Sequence, residues 1–184
     1  TRLATDVIDV QGHFDVMQRR IPREDFSVHD EAPEPEQTMD SFVALSDGEC
    51  GLALLNEGLK AYEAHEDADR TVSLTLLRCF ALVLGWCQGI DFGESDKGSQ
   101  NPGRQRFHYA VMPFAGDWAK AGVWQAAERF NLGLHACQFG PAGHGTEPPC
   151  KSFVEIRPQK LQVSAVKQSE DGKGWVVRLF NPHD

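Results

Sequence analysis

A run of thirteen residues, SDGECGLALLNEG at positions 46–58, carries the most information about the fold. Its centre, residues 51–55, is apolar throughout, and turn-forming residues bound it on both sides, Asp47-Gly48 before it and Asn56-Glu57-Gly58 after it. Glycine accepts the positive φ that tight turns need, and a short apolar run between two turns is typical of a buried strand. We therefore expect residues 51–55 to form a strand at the centre of a β-sandwich, covered on both faces.

Further strand-like runs lie on both sides of this one. The clearest is TVSLTLLR, residues 71–78, where apolar side chains alternate with Thr and Ser. Similar runs occupy residues 7–10 with 14–17, 41–45, 59–64, 106–112, 152–156, 161–167 and 175–180, and a predicted hairpin turn at 170–174 joins the last two. Asp117 is predicted to cap one helix that ends near Asn131. Short strands at near-regular spacing predict a mainly β fold, a large antiparallel β-sandwich with one short helix.

The chain has 184 residues and a formal charge of −9, and the excess of acidic residues lies in one region. Residues 24–69 carry 14 acidic side chains and a single basic one, Lys60. Within this region, acids alternate with proline at 30–36, so we predict an acidic, proline-containing loop or arm at 24–40. Negative charge argues against a nucleic-acid or anionic-membrane partner, because both need a basic face. The apolar stretches are also too short to cross a bilayer as a helix.

The residues that could carry chemistry form no recognisable catalytic or metal-binding set. The five cysteines include no C-x-x-C pair, which predicts free thiols in a reducing cytoplasm rather than a zinc ribbon or a disulfide framework. His13-x-Asp15 has the spacing of two metal ligands on one strand face, but no second ligand pair accompanies it. Residues 91–98 and 140–145 lack key residues of calcium and phosphate loops. From the residues alone we predict no catalytic residue, no metal site and no cofactor in this chain.

Several segments, taken in order, resemble one enzyme family. Residues 46–58, followed by LTLLR at 74–78, are similar to the signature S-D-G-x-x-G-L-A-L-L-N-x-G... L-T-L-L-R of glycoside hydrolase family 38, the α-mannosidases. Later blocks follow in the same order at 107–113, 116–118, 152–153, 165–167 and 178–182. The resemblance implies the C-terminal β-sandwich of these enzymes, a supersandwich of the galactose-mutarotase type. We therefore expect residues 1–184 to be one such domain, and the start at Thr1 without a methionine predicts a fragment of a longer chain.

The resemblance also implies what the parent protein does. It would hydrolyse α-mannosidic bonds with retention, using an N-terminal α/β barrel that carries the zinc ligands and the aspartate nucleophile. Neither the barrel nor its motif occurs in this sequence, so we expect the isolated chain to be inactive and zinc to be held in the barrel. The expected partners are that barrel, within the same polypeptide, and the α-mannoside substrate. The expected location is the cytoplasm, and association into a homo-oligomer is left open.

Three residues are candidates for substrate binding. Arg78 and Arg178 are each predicted to end an apolar strand. At such a position the guanidinium can pair with a buried carboxylate, which is the interpretation we favour. Alternatively, it can reach the interface with the barrel and donate hydrogen bonds to sugar hydroxyls. Asn181, before Pro182, either closes the last strand or touches the ligand. Two alternatives to a supporting domain stay open. One is a structural interaction domain of an inactive homologue, and the other is a carbohydrate-binding module that stacks sugars on Trp86, Trp118, Trp124 and Trp175.

Overall fold

The computed structural model describes residues 1–21, 34–79, 99–138, 140, 145–158 and 160–183. The described residues form ten strands and one helix: β1 (Val7–Gln11), β2 (Val16–Arg20), β3 (Gln37–Thr38), β4 (Phe42–Ser46), β5 (Cys50–Asn56), β6 (Ala61–Ala64), β7 (Val72–Leu74), β8 (Tyr109–Ala115), α1 (Val123–Asn131), β9 (Gln162–Gln168) and β10 (Trp175–Phe180). Most of the predicted acidic arm at 24–40, all of 91–98 and most of 140–145 lie outside the described residues.

The strands form three antiparallel sheets. The largest has the order β2-β1-β4-β5-β8, a second has the order β3-β6-β7, and β9 and β10 form a two-stranded sheet. Strands β4 and β5 make the hairpin that the motif predicts, with Leu45 opposite Leu52. Strand β8, much later in the chain, pairs with the whole of β5. The predicted mainly β, antiparallel sandwich with one short helix is confirmed.

Strand β4 lies in the middle of the five-stranded sheet and is buried on both faces. On one face, Val43 and Leu45 pack with Tyr62 of β6, which joins the five-stranded sheet to the three-stranded sheet. On the other face, Phe42 packs with Trp124 of α1 in a second core cluster, and their rings meet edge to face at 6.0 Å. The helix and the second sheet therefore cover opposite sides of the same strand.

Strand β5 is covered less completely than we predicted. Ala53 and Leu55 are buried on the face that meets α1, whereas Leu52 and Leu54 on the other face are only partly buried. The cause is the position of the strand, because its neighbour β8 is the edge of the sheet and exposes Val111 opposite Leu54. The strand that is covered on both faces is β4.

The prediction of one strand over residues 71–78 is wrong in extent. Only Val72–Leu74 pairs as a strand, with β6. Thr75 still donates its N–H to the Ala61 carbonyl at 3.0 Å, and after it the chain leaves the ladder. Alternating Thr and Leu residues give β propensity, but the length of a strand is set by the partner beside it, and β6 is short.

The predicted strand at 152–156 is absent. Residues 152–156 have no strand assignment, and Phe153 is 84% exposed. The hydroxyl of Ser152 donates to the Val154 carbonyl at 2.8 Å, which is a local contact within the segment. An apolar alternation without a neighbouring strand does not become a strand.

The helix begins later than predicted. Its N-cap is Gly122 with φ of 70°, and no side chain caps it. Asp117 instead closes the turn before the helix, where its carboxylate accepts the N–H of Lys120 at 2.8 Å. This bond is the main reason that the pKa of Asp117 is lowered. The helix ends at Asn131, as predicted.

Both ends of the chain form hairpins. The apolar segment at 7–17 is split by a turn into β1 and β2, with Val10 opposite Met17. The predicted hairpin of β9 and β10 is confirmed, and its turn is closed by the N–H of Ser169 on the Gly174 carbonyl at 2.9 Å. Gly172 has the positive φ, 70°, that this turn needs. In the described residues no helix has the length and apolarity of a membrane span.

Candidate functional site

The motif at 46–58 forms the turns on either side of β5. The carboxylate of Asp47 accepts the N–H groups of Cys50 and Glu49, each at 3.0 Å. Both bonds lower the pKa of Asp47, and the bond from Cys50 has the larger effect. Gly48 follows with φ of 94°, in the left-handed region that favours glycine. The start of the motif thus has a structural role, as the sequence predicts.

Asn56 is a buried connector between three segments. Its Oδ1 accepts the N–H of Leu59 at 2.8 Å, and its Nδ2 donates to the Asp40 carbonyl at 3.2 Å. Its own carbonyl accepts Nδ2 of Asn131, at the end of α1, at 3.0 Å. The side chain has no solvent exposure, so these bonds replace its bonds to water. The second turn of the motif is therefore tied both to the helix and to the segment that carries Asp40.

Gly51 is required by close packing. A Cβ at this position would lie 2.2 Å from the ring of Phe114 in β8 and 2.6 Å from the backbone oxygen of Leu45 in β4. Gly51 therefore lets the Phe114 ring lie against the backbone of β5. This contact helps to hold the edge strand β8 on the sheet.

Arg78 pairs with a carboxylate, but this carboxylate is partly exposed and not buried as we favoured. Its Nη2 lies 3.3 Å from Oε2 of Glu36, and the Thr75 hydroxyl donates to the same carboxylate. The Glu36 side chain is 22% exposed, whereas that of Arg78 is 72% exposed. The guanidinium is thus held by Glu36 while most of the Arg78 side chain stays open to solvent. Contact of Arg78 with a sugar stays a prediction.

The other two candidates lie at the end of the β9–β10 hairpin. Arg178 is exposed, faces Ala165 in the pairing, and precedes the bulge at Leu179. Asn181 donates from Nδ2 to the His183 carbonyl at 2.6 Å, which fits a residue that closes the strand. Arg78 contacts the segment before β3, so it lies apart from Arg178 and Asn181, which share the end of the β9–β10 hairpin. Their role in substrate binding stays a prediction.

A cavity of about 720 Å³ opens beside the β1–β2 turn. Three segments form it: the turn with its flanking residues, the end of β3 with the residues after it, and the residue before β6. Its lining residues are Gln11, Gly12, His13, Phe14, Asp15, Met17, Thr38, Met39, Asp40 and Lys60. The volume suits a small molecule. The sequence analysis did not predict this cavity, because the segments that form it are distant in the chain. The only lining residues that it singled out as possible ligands were His13 and Asp15, through their spacing.

The charges of the cavity centre on Asp40. Its Oδ1 lies 2.5 Å from Nζ of Lys60, and its Oδ2 lies 3.6 Å from Nδ1 of His13. The structure thus pairs His13 with Asp40 and not with Asp15. The Asp15 carboxylate folds over Gly12, so that a Cβ at position 12 would lie 2.4 Å from Oδ1 of Asp15.

A buried carboxyl lies in β1. Asp9 is 7% exposed and accepts Nε2 of Gln18 at 3.0 Å. Burial raises the pKa of Asp9, the Gln18 bond lowers it in part, and the charge of Asp117 raises it further. Burial therefore makes Asp9 harder to ionise than an exposed aspartate.

The described residues contain no group of three His, Cys, Asp or Glu side chains that could hold a metal ion. Of the five cysteines, the structure describes Cys50, Cys79, Cys137 and Cys150, and all four are free thiols, as predicted. Cys87 lies outside the described residues.

The described tryptophans differ in how much ring surface they leave exposed for stacking. Trp124 is buried in the core and cannot reach a sugar, which corrects that part of the binding-module alternative. Trp118 stacks on His183 with ring centroids 4.8 Å apart. Trp175 is 77% exposed, and Trp86 lies outside the described residues.

The fold is an antiparallel β-sandwich that also occurs within larger glycoside hydrolases of known structure. An α-mannosidase from Enterococcus faecalis matches 98% of this chain, with a TM-score of 0.66 and 23% identity. A glycosyl hydrolase family 38 protein from the same species also matches 98% of it, with a TM-score of 0.70 and 23% identity. The chain corresponds to 19% and 20% of those two structures.

Two curated proteins agree with this likeness. The chain is 28% identical over 154 residues to a putative mannosylglycerate hydrolase of Halalkalibacterium halodurans, across 82% of the chain and 16% of that protein. It is 28% identical over 145 residues to human alpha-mannosidase 2C1, across 77% of the chain and 12% of that protein. No family model matches the chain. The resemblance to glycoside hydrolase family 38 is confirmed by these relatives, of which the chain spans less than a fifth.

Proposed function

We propose that this chain is the non-catalytic β-sandwich portion of a larger α-mannosidase-like glycosidase. The observation that carries the proposal is the length relation: the chain matches two solved family structures over 98% of its own length but only 19–20% of theirs. The parent hydrolyses α-mannosidic bonds with retention, and its zinc and nucleophile reside in a catalytic barrel outside this sequence. The position of this domain at the C-terminal end follows from the resemblance.

The exposed apolar strands support a packing role. In the β9–β10 hairpin, Val166 and Val177 lie opposite each other, and each is 46% exposed. Trp175, two residues before Val177, is on the same face of β10. We call Val166, Trp175 and Val177 the hairpin face. A contiguous exposed apolar face of this kind marks a contact surface. In the longer polypeptide, another part of the chain packs against the hairpin face and buries it.

The test compares one substitution in two contexts. Val177→Lys adds a charge to the hairpin face, and Lys173→Gln changes the exposed turn of the same hairpin as a matched control. In the 184-residue chain both variants unfold at nearly the wild-type temperature, because position 177 is half exposed. In the longer polypeptide Val177→Lys lowers the unfolding temperature and the α-mannosidase activity, while Lys173→Gln does neither, because a lysine buried at the contact loses its hydration.

If Val177→Lys is silent in the longer polypeptide, the hairpin face is not a packing surface and the supporting role fails. The substrate class is tested separately, by measuring whether the longer polypeptide releases mannose from an aryl α-mannoside in the presence of zinc. Absence of that activity in a folded, zinc-loaded protein favours the structural domain of an inactive homologue.

A further inference from the structure

The cavity at the β1–β2 turn combines two kinds of surface. Its apolar part consists of Met17, Met39 and the ring of Phe14, and its polar part includes Asp15, Asp40 and Lys60. A pyranose ring has a matching composition, with an apolar C–H face and a rim of hydroxyls that both donate and accept hydrogen bonds. We propose that this cavity binds one neutral pyranose ring, with the apolar face of the sugar against Phe14. The choice of a mannoside as the sugar rests on the proposed function.

Phe14 is positioned to serve as the apolar platform. Its side chain is 56% exposed at the tip of the β1–β2 turn. The ring packs edge to face on Phe180, the last residue of β10, with centroids 5.1 Å apart and an interplanar angle of 83°. This contact holds the Phe14 ring in place while more than half of the side chain stays accessible. An exposed aromatic ring that is already fixed loses little conformational freedom when a ligand stacks on it.

The polar groups of the cavity favour a hydroxyl-bearing ligand over an anion. Lys60 gives one ammonium hydrogen to Asp40 at 2.5 Å and keeps two more donors. Asp15 and Asp40 contribute carboxylate oxygens as acceptors. The two carboxylates repel a phosphate or a carboxylate ligand, and the Lys60 ammonium and the His13 imidazole leave no surplus of positive charge to offset that repulsion. A neutral sugar meets donors and acceptors without that repulsion.

Three hydrogen bonds hold the segments around the cavity together, and none of them involves the side chain of Phe14 or Asp15. The Gln11 carbonyl accepts the N–H of Asp40 at 2.9 Å, and the Lys60 carbonyl accepts the N–H of Met39 at 3.1 Å. The buried Gln11 side chain accepts the N–H of Ser41 at 3.1 Å. Substitution of Phe14 or Asp15 therefore leaves these ties between the three segments intact, and the variants are expected to fold.

The probe is methyl α-D-mannopyranoside, titrated into the 184-residue chain and followed by saturation-transfer NMR. We expect a Kd on the order of 1–10 mM, as befits a single sugar ring on an open site. Phe14→Ala and Asp15→Asn each weaken binding by about three- to tenfold. Phe153→Ala, which removes an 84% exposed aromatic ring elsewhere, is the matched control and leaves the Kd unchanged. Inorganic phosphate at equal concentration does not displace the sugar.

Three results overturn the inference. They are no saturation transfer at a sugar concentration about tenfold above that Kd, an equal loss of binding in Phe153→Ala, or displacement by phosphate. Thermal unfolding of each variant confirms that the fold is retained. Failure here leaves the supporting role untouched, because that role is judged on the hairpin face through Val177→Lys. A silent Val177→Lys together with cavity binding removes the supporting role and keeps the cavity.

Discussion

The substitution Gly51→Ala adds one methyl group on β5, beside the Phe114 ring of β8 and the Leu45 backbone oxygen of β4. The new Cβ would lie 2.2 Å and 2.3 Å from two atoms of the Phe114 ring and 2.6 Å from the Leu45 backbone oxygen, whereas ordinary contact begins at 3.4 Å. The ring and the strand must therefore separate by about 1 Å, and the Leu45 oxygen belongs to backbone that cannot rotate away. Overpacking of a core typically costs about 1–3 kcal/mol, and two clashes put this site at about 3 kcal/mol.

The assay is urea unfolding followed by circular dichroism, with Gly133→Ala as control. A methyl group added at Gly133 would meet nothing within 4 Å, and the residue has no left-handed φ, so this replacement changes the free energy of unfolding by less than about 1 kcal/mol. Phe114→Leu in the Gly51→Ala background recovers part of the loss, because it removes one of the two clashes. A loss below about 0.5 kcal/mol, or one equal to that of Gly133→Ala, refutes the close-packing role of Gly51.

Three further predictions concern buried and exposed polar groups. Asp9→Asn keeps an acceptor for Gln18 but cannot ionise. Burial raises the pKa of Asp9 in the folded state, so the wild type loses stability as the pH rises through that pKa. The variant is therefore more stable than the wild type at pH 7 but not at pH 3, and parallel pH profiles in urea unfolding contradict this. Asn56→Ala breaks two buried side-chain hydrogen bonds and costs about 2–3 kcal/mol by the same assay, and a cost below about 0.5 kcal/mol contradicts its connecting role. Arg78→Gln changes the free energy of unfolding by less than about 1 kcal/mol, because the guanidinium is mostly exposed, and a larger loss indicates that its pairing with Glu36 is structural.

Local chemistry was sufficient to predict much of this fold. The β9–β10 turn was predictable because Gly172 and its neighbours encode it within a few residues. The β4–β5 hairpin was predictable for the same reason, through Asp47 and Gly48. The extent of β7 was not, since it depends on the short partner β6. The start of α1 was also missed, because Asp117 satisfies a turn before the helix and not the helix itself.

The candidate site depended on contacts between distant segments. The pairing of Arg78 with a carboxylate could be anticipated from its place after an apolar run, but the identity of Glu36 could not. The cavity was invisible to sequence patterns, because Asp40 and Lys60 meet the β1–β2 turn only through the three-dimensional fold. His13 drew attention through its spacing to Asp15, yet its partner is Asp40.

The central claim, that this chain supports a catalytic domain and does not itself catalyse, is tested most directly by its own turnover of an aryl α-mannoside. The 184-residue chain is incubated with the substrate and zinc, next to a full-length family 38 α-mannosidase as positive control. We predict no release of the aryl alcohol above the buffer rate. Release that rises in proportion to the concentration of the chain, and that disappears when the chain is unfolded, would contradict the claim.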